Sequence, residues 1–145
     1  MIIDGHIKQV ETIFKLAPAI RAAVVDERAQ RESKHHGKDP TGNRAVDKVM
    51  PVLCVRVPYG KGTLCIDNPE AWLDVVREIY VAYSNHPIGQ MAKLRLEGKR
   101  SPAALAELMG VSRERYYGWY REFLRDAVFL ASEKGLLKEI QKIKM

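Results

Sequence analysis

Apolar residues in the first part of the chain recur with the spacing of an amphipathic helix. Val10, Phe14 and Ala17 follow one another at intervals of four and three residues, which predicts a helix over residues 3–17. Pro18 interrupts this pattern. Either the helix kinks at this residue, or a second helix begins with Pro18 in its first turn.

The polar stretch that follows predicts a break in the helical structure. Apolar periodicity is lost between Arg28 and Lys38, so we expect a mobile linker near residues 31–38. Asp39 followed by Pro40 then predicts the start of a short helix that ends near residue 50.

The middle of the chain carries the pattern of a β-hairpin. Residues 52–57 and 63–66 are rich in strand-forming types and are separated by Pro-Tyr-Gly-Lys-Gly at 58–62. Two strands alone are marginal in water, so we expect the hairpin to lie against helices or to pair with another chain.

Cys54 and Cys65 can face one another across the hairpin. A chain with two cysteines is nevertheless typical of a reduced cytosolic protein, and we expect small, buried, free thiols.

Helical spacing returns after the hairpin. Asn68 followed by Pro69 predicts the start of a helix that has one apolar stripe. The stripe consists of Trp72, Val75, Val76, Ile79 and Tyr83. A further helix is predicted over residues 87–97, and a short terminal one over residues 136–144.

Residues 105–121 carry the pattern of two helices joined by a tight turn, as in a helix-turn-helix. Helices that cross steeply need a small residue where their backbones approach, here Ala106, and a residue that tolerates positive φ in the turn, here Gly110. Ser112 follows the turn and is a suitable N-cap for the second helix. Gly135 is a natural stop for that helix.

The second helix of this pair has one apolar face and one polar face. We expect its aromatic residues at helical spacing to be core residues rather than a stacking platform for single-stranded nucleic acid. These core residues are Tyr116, Trp119, Tyr120 and Phe123. The residues that point outward from the start of the helix are Arg113, Glu114, Tyr117, Gly118 and Arg121. A recognition helix presents its N-terminal half to the major groove of DNA in this way.

Taken in order, these elements predict a mainly α protein with a C-terminal trihelical helix-turn-helix unit and one small β-hairpin in the middle. We divide the chain into three segments. Residues 1–50 form an N-terminal helical region, residues 51–85 form the hairpin and one helix, and residues 86–145 form the DNA-binding region with its long C-terminal helix.

The charge distribution favours the DNA-binding interpretation. The chain has 145 residues and a formal net charge of +6, and residues 86–125 hold eight Lys and Arg residues against four Asp and Glu residues. A basic excess around a helix-turn-helix is typical of phosphate contact, because neutralising phosphates releases condensed counterions. Lys99 and Arg100, in the loop before the motif, are candidates for such contacts. Because this excess of positive charge is small, an ordinary solvated surface is the alternative explanation for it.

The sequence carries no pattern typical of a membrane protein or an enzyme. It has no apolar stretch of the length of a membrane span, and its start lacks the basic end and apolar run of a secretory signal, so we expect a cytoplasmic protein. The four histidines and two cysteines lack the spacing of metal ligands, and neither a pair of catalytic carboxylates nor a phosphate-binding loop is present. We therefore expect no enzyme activity, no metal and no cofactor.

Five short stretches carry a family resemblance. They are Asp-Pro-Thr-Gly-Asn-Arg-Ala at 39–45, Ala-Trp-Leu at 71–73, Leu-Met-Gly-Val-Ser at 108–112, Tyr-Tyr at 116–117 and Lys-Gly-Leu at 134–136. Together they resemble phage and prophage late-gene transcription regulators of the RinA and ArpU type, most closely over residues 88–137. Those regulators are in turn similar to the promoter-binding C-terminal region of bacterial sigma factors, from which the hairpin at 52–66 is a departure.

The resemblance implies that this chain binds double-stranded DNA at a phage promoter, with RNA polymerase as a further candidate partner. It places the recognition role on Ser112, Arg113, Glu114, Arg115, Tyr117 and Arg121. Two other functions are open. The same motif can hold DNA in a packaging protein such as a small terminase subunit, and a regulator can act through protein contacts without DNA affinity. The size of the protein in solution distinguishes packaging from regulation, since a monomer or dimer favours regulation and a ring of many copies favours packaging.

Overall fold

The computed structural model describes residues 4–35, 50–98 and 100–137, and this part of the chain contains five helices and one hairpin. The elements in chain order are α1 (Asp4–His35), β1 (Cys54–Tyr59), β2 (Gly62–Asp67), α2 (Pro69–Ala82), α3 (Pro87–Leu96), α4 (Pro102–Met109) and α5 (Arg113–Glu133). The prediction of a mainly helical chain with one antiparallel hairpin is therefore confirmed. None of the described helices is both long enough and apolar enough to cross a membrane.

Helix α1 continues through Pro18 instead of ending there. A proline inside a helix removes one backbone hydrogen bond and crowds the preceding turn. Burial on both sides of the proline compensates for this cost, because Phe14, Ala17 and Ile20 are all 0% exposed. Of the two alternatives that the sequence left open, a second helix beginning at Pro18 is thus wrong, because Pro18 lies inside α1.

Helix α1 also extends further than the sequence indicated. The mobile linker predicted near 31–38 is wrong for residues 31–35, which are helical. Charged residues are good helix formers when their side chains are paired, and Arg31 Nε lies 3.9 Å from Oε1 of Glu27, one turn earlier. The remainder of the predicted linker and nearly all of the helix predicted after Asp39 lie outside the described residues.

The described elements form two compact units. The first contains the chain up to Ala17 and from Asp74 onward, and the second contains Pro18–Leu73. These units are groups of packed elements. The three segments proposed from the sequence are consecutive stretches of chain, and the division into three segments stays a prediction.

The hairpin of the second unit turns one face inward. Val55 lies opposite Ile66, and Val57 lies opposite Leu64. Val55, Val57 and Ile66 are at most 6% exposed. Gly60 has a φ of +57°, which allows a two-residue turn between Tyr59 and Gly62. The strands therefore extend closer to the turn than predicted, because β1 ends at Tyr59 and not at residue 57, and β2 begins at Gly62 and not at residue 63.

Cys54 and Cys65 lie on the opposite, exposed face of the hairpin and form a disulfide. Arg56 is directly opposite Cys65, so the two cysteines occupy diagonal positions, with Cα atoms 6.5 Å apart. A disulfide can span that separation. The expectation of buried free thiols was wrong, because the number of cysteines does not show which positions the strand register brings together.

Glu70 connects three segments of the second unit. Its Oε2 accepts hydrogen bonds from Nη2 of Arg28 at 2.7 Å and from Nε of Arg28 at 2.9 Å, and its Oε1 accepts one from the Val52 N–H at 2.9 Å. Burial by itself would raise the pKa of the Glu70 carboxyl. The hydrogen bonds from Val52 and Arg28, with the charges of Arg28 and Arg31, outweigh burial and lower that pKa below its ordinary value.

We expect Glu70→Gln to destabilise the fold by about 1 to 2 kcal/mol at neutral pH, because the amide forms weaker hydrogen bonds than the carboxylate. A carboxyl whose pKa is lowered in the folded state contributes stability above its unfolded pKa, and this contribution is lost as the pH falls through the folded pKa. Urea unfolding of both proteins at several pH values should therefore show their stabilities converging in acid. A constant difference across the pH range would contradict this role of the carboxylate charge.

Aromatic rings form the centre of the first unit. The ring centroid of Phe14 is 5.6 Å from those of Tyr80 and Phe123, and the centroid of Tyr83 is 5.2 Å from that of Phe123. The described helices α3, α4 and α5 also pack on one another in pairs. These contacts hold α5 by one face and leave its other face in solvent.

Candidate nucleic-acid interface

Helices α4 and α5 are joined by a three-residue turn that begins at Gly110. This glycine has φ +70° and ψ 30°, so the positive φ predicted for it is confirmed. Its N–H donates to the carbonyl of Glu107 at 3.1 Å, and the Val111 N–H donates to the carbonyl of Ala106 at 3.1 Å. This pair of hydrogen bonds is the Schellman arrangement that ends a helix and turns the chain sharply.

Ser112 fixes the start of α5. Its backbone is extended, with φ −70° and ψ 159°, and its Oγ accepts a hydrogen bond from the Arg115 N–H at 3.1 Å. The predicted N-cap is confirmed, and it makes Arg113 the first residue of the helix. Ser101 caps α4 in the same way, accepting from the Ala104 N–H at 3.2 Å.

The inner side of the helix pair is tightly packed. Leu105 and Ala106 of α4 are 0% and 3% exposed, in agreement with the small residue predicted at the helix crossing. Tyr116 and Phe123 of α5 are both 0% exposed. The orientation of α5 about its own axis is therefore set by burial, and the residues on its opposite side face solvent.

Every described residue that the sequence assigned to DNA contact is exposed. These residues are Arg100, Ser112, Arg113, Glu114, Arg115, Tyr117 and Arg121. Arg113, Tyr117 and Arg121 recur every four residues, so they lie along one side of α5 over roughly 12 Å. Lys99 lies outside the described residues.

The arginines of this surface differ in what they contact. Within the ranges that the structure describes, Arg100, Arg113 and Arg121 form no ion pair. The guanidinium carbon of Arg115, by contrast, lies 5.9 Å from the centre of the Trp119 ring, a cation–π contact within the protein. Arg113 and Arg121 are thus better placed than Arg115 to bind phosphate or base acceptors.

Trp119 is not a core residue, contrary to the prediction. It is half-buried, and its ring meets that of His86 edge-on with centroids 5.0 Å apart. The buried stripe of α5 runs through Tyr116, Tyr120 and Phe123, and a helical advance of 100° per residue places Trp119 at the edge of this stripe. His86 itself caps α3, since its Nδ1 accepts a hydrogen bond from the Ile88 N–H at 3.0 Å.

Gly118 is a feature of the outward face to which the sequence pattern gave no role. It is exposed in the interior of α5, and a Cβ atom added there would meet nothing within 4 Å. A glycine inside a helix costs about 0.5 to 1 kcal/mol relative to alanine. Its lack of a side chain leaves the backbone of α5 open to close approach by a ligand between Tyr117 and Arg121. The signal in the sequence was a glycine in the middle of an otherwise strong helical pattern.

We expect Gly118→Ala to stabilise the fold by about 0.5 to 1 kcal/mol, because alanine fits the open space and restricts the unfolded chain. Gly89→Ala is the matched control. A Cβ on Gly89 would clash with the backbone carbonyl oxygen of Tyr83, so this variant should be less stable than the wild type. Urea midpoints measure both changes, and a destabilised Gly118→Ala would show that the outward face is not open.

Two tyrosines on the inner face of α5 differ in whether their hydroxyl groups form hydrogen bonds. The Tyr120 hydroxyl donates to Oε2 of Glu11 at 2.7 Å, and burial followed by this hydrogen bond raises the pKa of Tyr120. The Tyr116 hydroxyl has no hydrogen-bond partner in the described part of the chain, and burial raises the pKa of Tyr116 to about 12. The rings stack with centroids 5.8 Å apart.

Removing these hydroxyl groups should have opposite effects. Tyr120→Phe loses a hydrogen bond to a carboxylate and should cost about 1 to 2 kcal/mol. Tyr116→Phe removes an unpaired buried hydroxyl and should leave stability unchanged or raise it by up to about 1 kcal/mol. Thermal unfolding of the two variants side by side distinguishes these results, and an equal loss in both would contradict the assigned hydrogen bonding.

One group of potential metal ligands occurs among the described residues. The ligand atoms of Cys54, Cys65 and Asp67 lie within 4.8 Å of one another. The two sulfur atoms are bonded to each other, and metal binding by cysteine requires the thiolate. In this oxidation state the group does not present three metal ligands.

Comparison with other proteins leaves the function to be inferred from the residues. No protein-family model, no curated protein and no solved structure matches this chain.

Proposed function

We propose that this chain is a sequence-specific DNA-binding protein that regulates transcription, with α3, α4 and α5 forming a trihelical helix-turn-helix unit. One observation carries the proposal. The first half of α5 is held by buried Tyr116 and Tyr120, while Arg113 at its start and Arg121 two turns later are exposed and form no ion pair in the described residues. A helix that is anchored by buried residues and exposes unpaired arginines in its first half is suited to entry into the major groove.

Each part of the proposed interface has a chemical role. An arginine can donate two hydrogen bonds to O6 and N7 of guanine, so the exposed α5 arginines are suited to reading bases. Arg100, in the loop before α4, is suited to phosphate contact that positions the protein without reading sequence. Gly118 adds a stretch of open backbone that lets the helix approach the floor of the groove.

We extend the proposal to the biological setting on the basis of the sequence motifs. Their resemblance to phage late-gene regulators supports a phage- or prophage-encoded protein that acts at a late promoter and has RNA polymerase as its second partner. The same setting places the protein in the cytoplasm.

Selection of duplexes from a pool of random sequence tests the proposal directly. The full chain is bound to the pool, the retained duplexes are sequenced, and the selected duplex is compared with a scrambled one in binding titrations. We expect an enriched sequence and an affinity that falls as salt rises, because protein–DNA contacts release counterions.

Variants that remove equal charge from two surfaces provide the control. Arg113→Ala combined with Arg121→Ala should abolish the enrichment. Arg56→Ala combined with Lys61→Ala removes the same charge from exposed positions of the hairpin and should retain it. A pool without enrichment, or equal losses from the two double variants, would refute the assignment of α5 as the recognition helix.

A further inference from the structure

Helix α1 carries an exposed apolar stripe that no described part of the chain covers. Its members are Pro18, Ala22, Val25 and Ala29, and Val25 is 65% exposed. Arg21 and Asp26 flank the stripe, and all six residues line a shallow groove of about 540 Å³. An exposed apolar stripe rimmed by charges is typical of an interaction surface.

The spacing of the stripe is that of a coiled-coil seam. Its members follow one another at intervals of four, three and four residues, which are the alternating d and a positions of a heptad. Alanine at both a positions lets two helix backbones approach closely, and Val25 at a d position supplies the larger apolar contact. The partner that fits such a seam is another helix with the same spacing.

We propose that the stripe binds a second copy of this chain, with the two α1 helices parallel and in register. Arg21 then occupies a g position and Asp26 the e position that follows it. In a parallel pair, a g residue of one helix lies beside the following e residue of the other, so each Arg21 meets Asp26 of the second copy. In an antiparallel pair g positions face each other, which brings Arg21 toward the arginines of the partner helix. The charges of Arg21 and Asp26 thus favour the parallel pair.

Contacts within the chain leave both charged groups accessible. Arg21 forms no ion pair in the described residues, and Asp26 accepts one hydrogen bond, from Nε2 of Gln30 to its Oδ2 at 3.1 Å. The next g residue, Arg28, is already bound to Glu70 of its own chain at 2.7 Å and does not enter the seam. The seam is short, so we expect a weak association that depends on concentration.

The dimer forms through α1 alone and does not require DNA binding. Sedimentation equilibrium of the full chain, over about 5 to 500 µM, measures the association directly. We expect a concentration-dependent dimer for the wild type. Arg21→Glu and Asp26→Lys should each weaken it by about tenfold or more, because each places like charges side by side. An equimolar mixture of the two variants should associate again, since one copy then carries two acidic residues at these positions and the other carries two basic ones.

Two substitutions at equally exposed valines separate the seam from general surface effects. Val25→Lys should abolish the dimer, whereas Val81→Lys on α2, where the native valine is also 65% exposed, should leave it intact. Circular dichroism establishes that each variant keeps the helical content of the wild type. A monomer at every concentration, a dimer that the charge variants leave unchanged, a dimer that Arg21→Glu strengthens, or a ring of many copies would each overturn the proposal.

Discussion

Replacing Phe123 with alanine should destabilise the folded chain by about 3 to 5 kcal/mol. Phe123 is 0% exposed, and its ring lies at the centre of the first unit, where it contacts Phe14, Tyr80 and Tyr83. These rings belong to α1 and α2 or to the residue that follows α2, so the cavity left by the substitution is bordered by several elements and cannot collapse fully. Urea unfolding followed by circular dichroism should show a large fall in the midpoint.

Trp119→Ala is the matched comparison for this experiment. It also removes an aromatic ring from α5, but Trp119 is half-buried, and its ring meets that of His86 and lies 5.9 Å from the guanidinium carbon of Arg115. We expect it to cost about 1 to 2 kcal/mol, since the native ring is already partly exposed to water and the vacated space can be hydrated. A loss as large as that of Phe123→Ala would restore the sequence-based prediction that Trp119 belongs to the core.

The features that the sequence predicted well are those decided within one or two helical turns. Gly110 ends α4, Ser112 begins α5, and Gly135, with a φ of +69°, follows the end of α5. Each of these depends on a backbone conformation or a capping hydrogen bond that the local residue types determine. Arg121 lies on the flank of the apolar stripe, whereas Arg113 points in nearly the same direction as Tyr120 and is exposed at the first turn of the helix.

The features that the sequence did not reveal depend on tertiary packing or strand register, which local residue types do not determine. Helix α1 passes Pro18 because apolar residues on both sides are buried, and its polar end is stabilised partly by the contact of Arg28 with Glu70. The disulfide depends on a strand register that places the two cysteines diagonally. Helical spacing alone likewise did not distinguish the centre of the α5 stripe from its edge, where Trp119 lies.

Arg113→Ala should reduce binding to the selected duplex by about 1 to 3 kcal/mol, with little effect on a scrambled one, if α5 enters the major groove by its N-terminus. Arg113 is the first residue of α5 and is exposed, so in that orientation it lies nearest the base edges. Arg121 lies two helical turns further back on the same side. Loss of a bidentate contact with guanine relaxes the preference at one base pair, and repeating the titrations with each base pair of the site changed identifies that position.

Substitutions in the loop before α4 should behave differently. Arg100→Ala, and by the sequence pattern Lys99→Ala, should weaken binding to selected and scrambled duplexes alike, because phosphate contacts carry no sequence information. Each should also lower the slope of log affinity against log salt concentration by about one. Titrations of all three variants on both duplexes at several salt concentrations separate base contacts from phosphate contacts. Equal losses on the two duplexes for Arg113→Ala would show that this residue does not contact bases and that α5 binds DNA in another orientation or not at all.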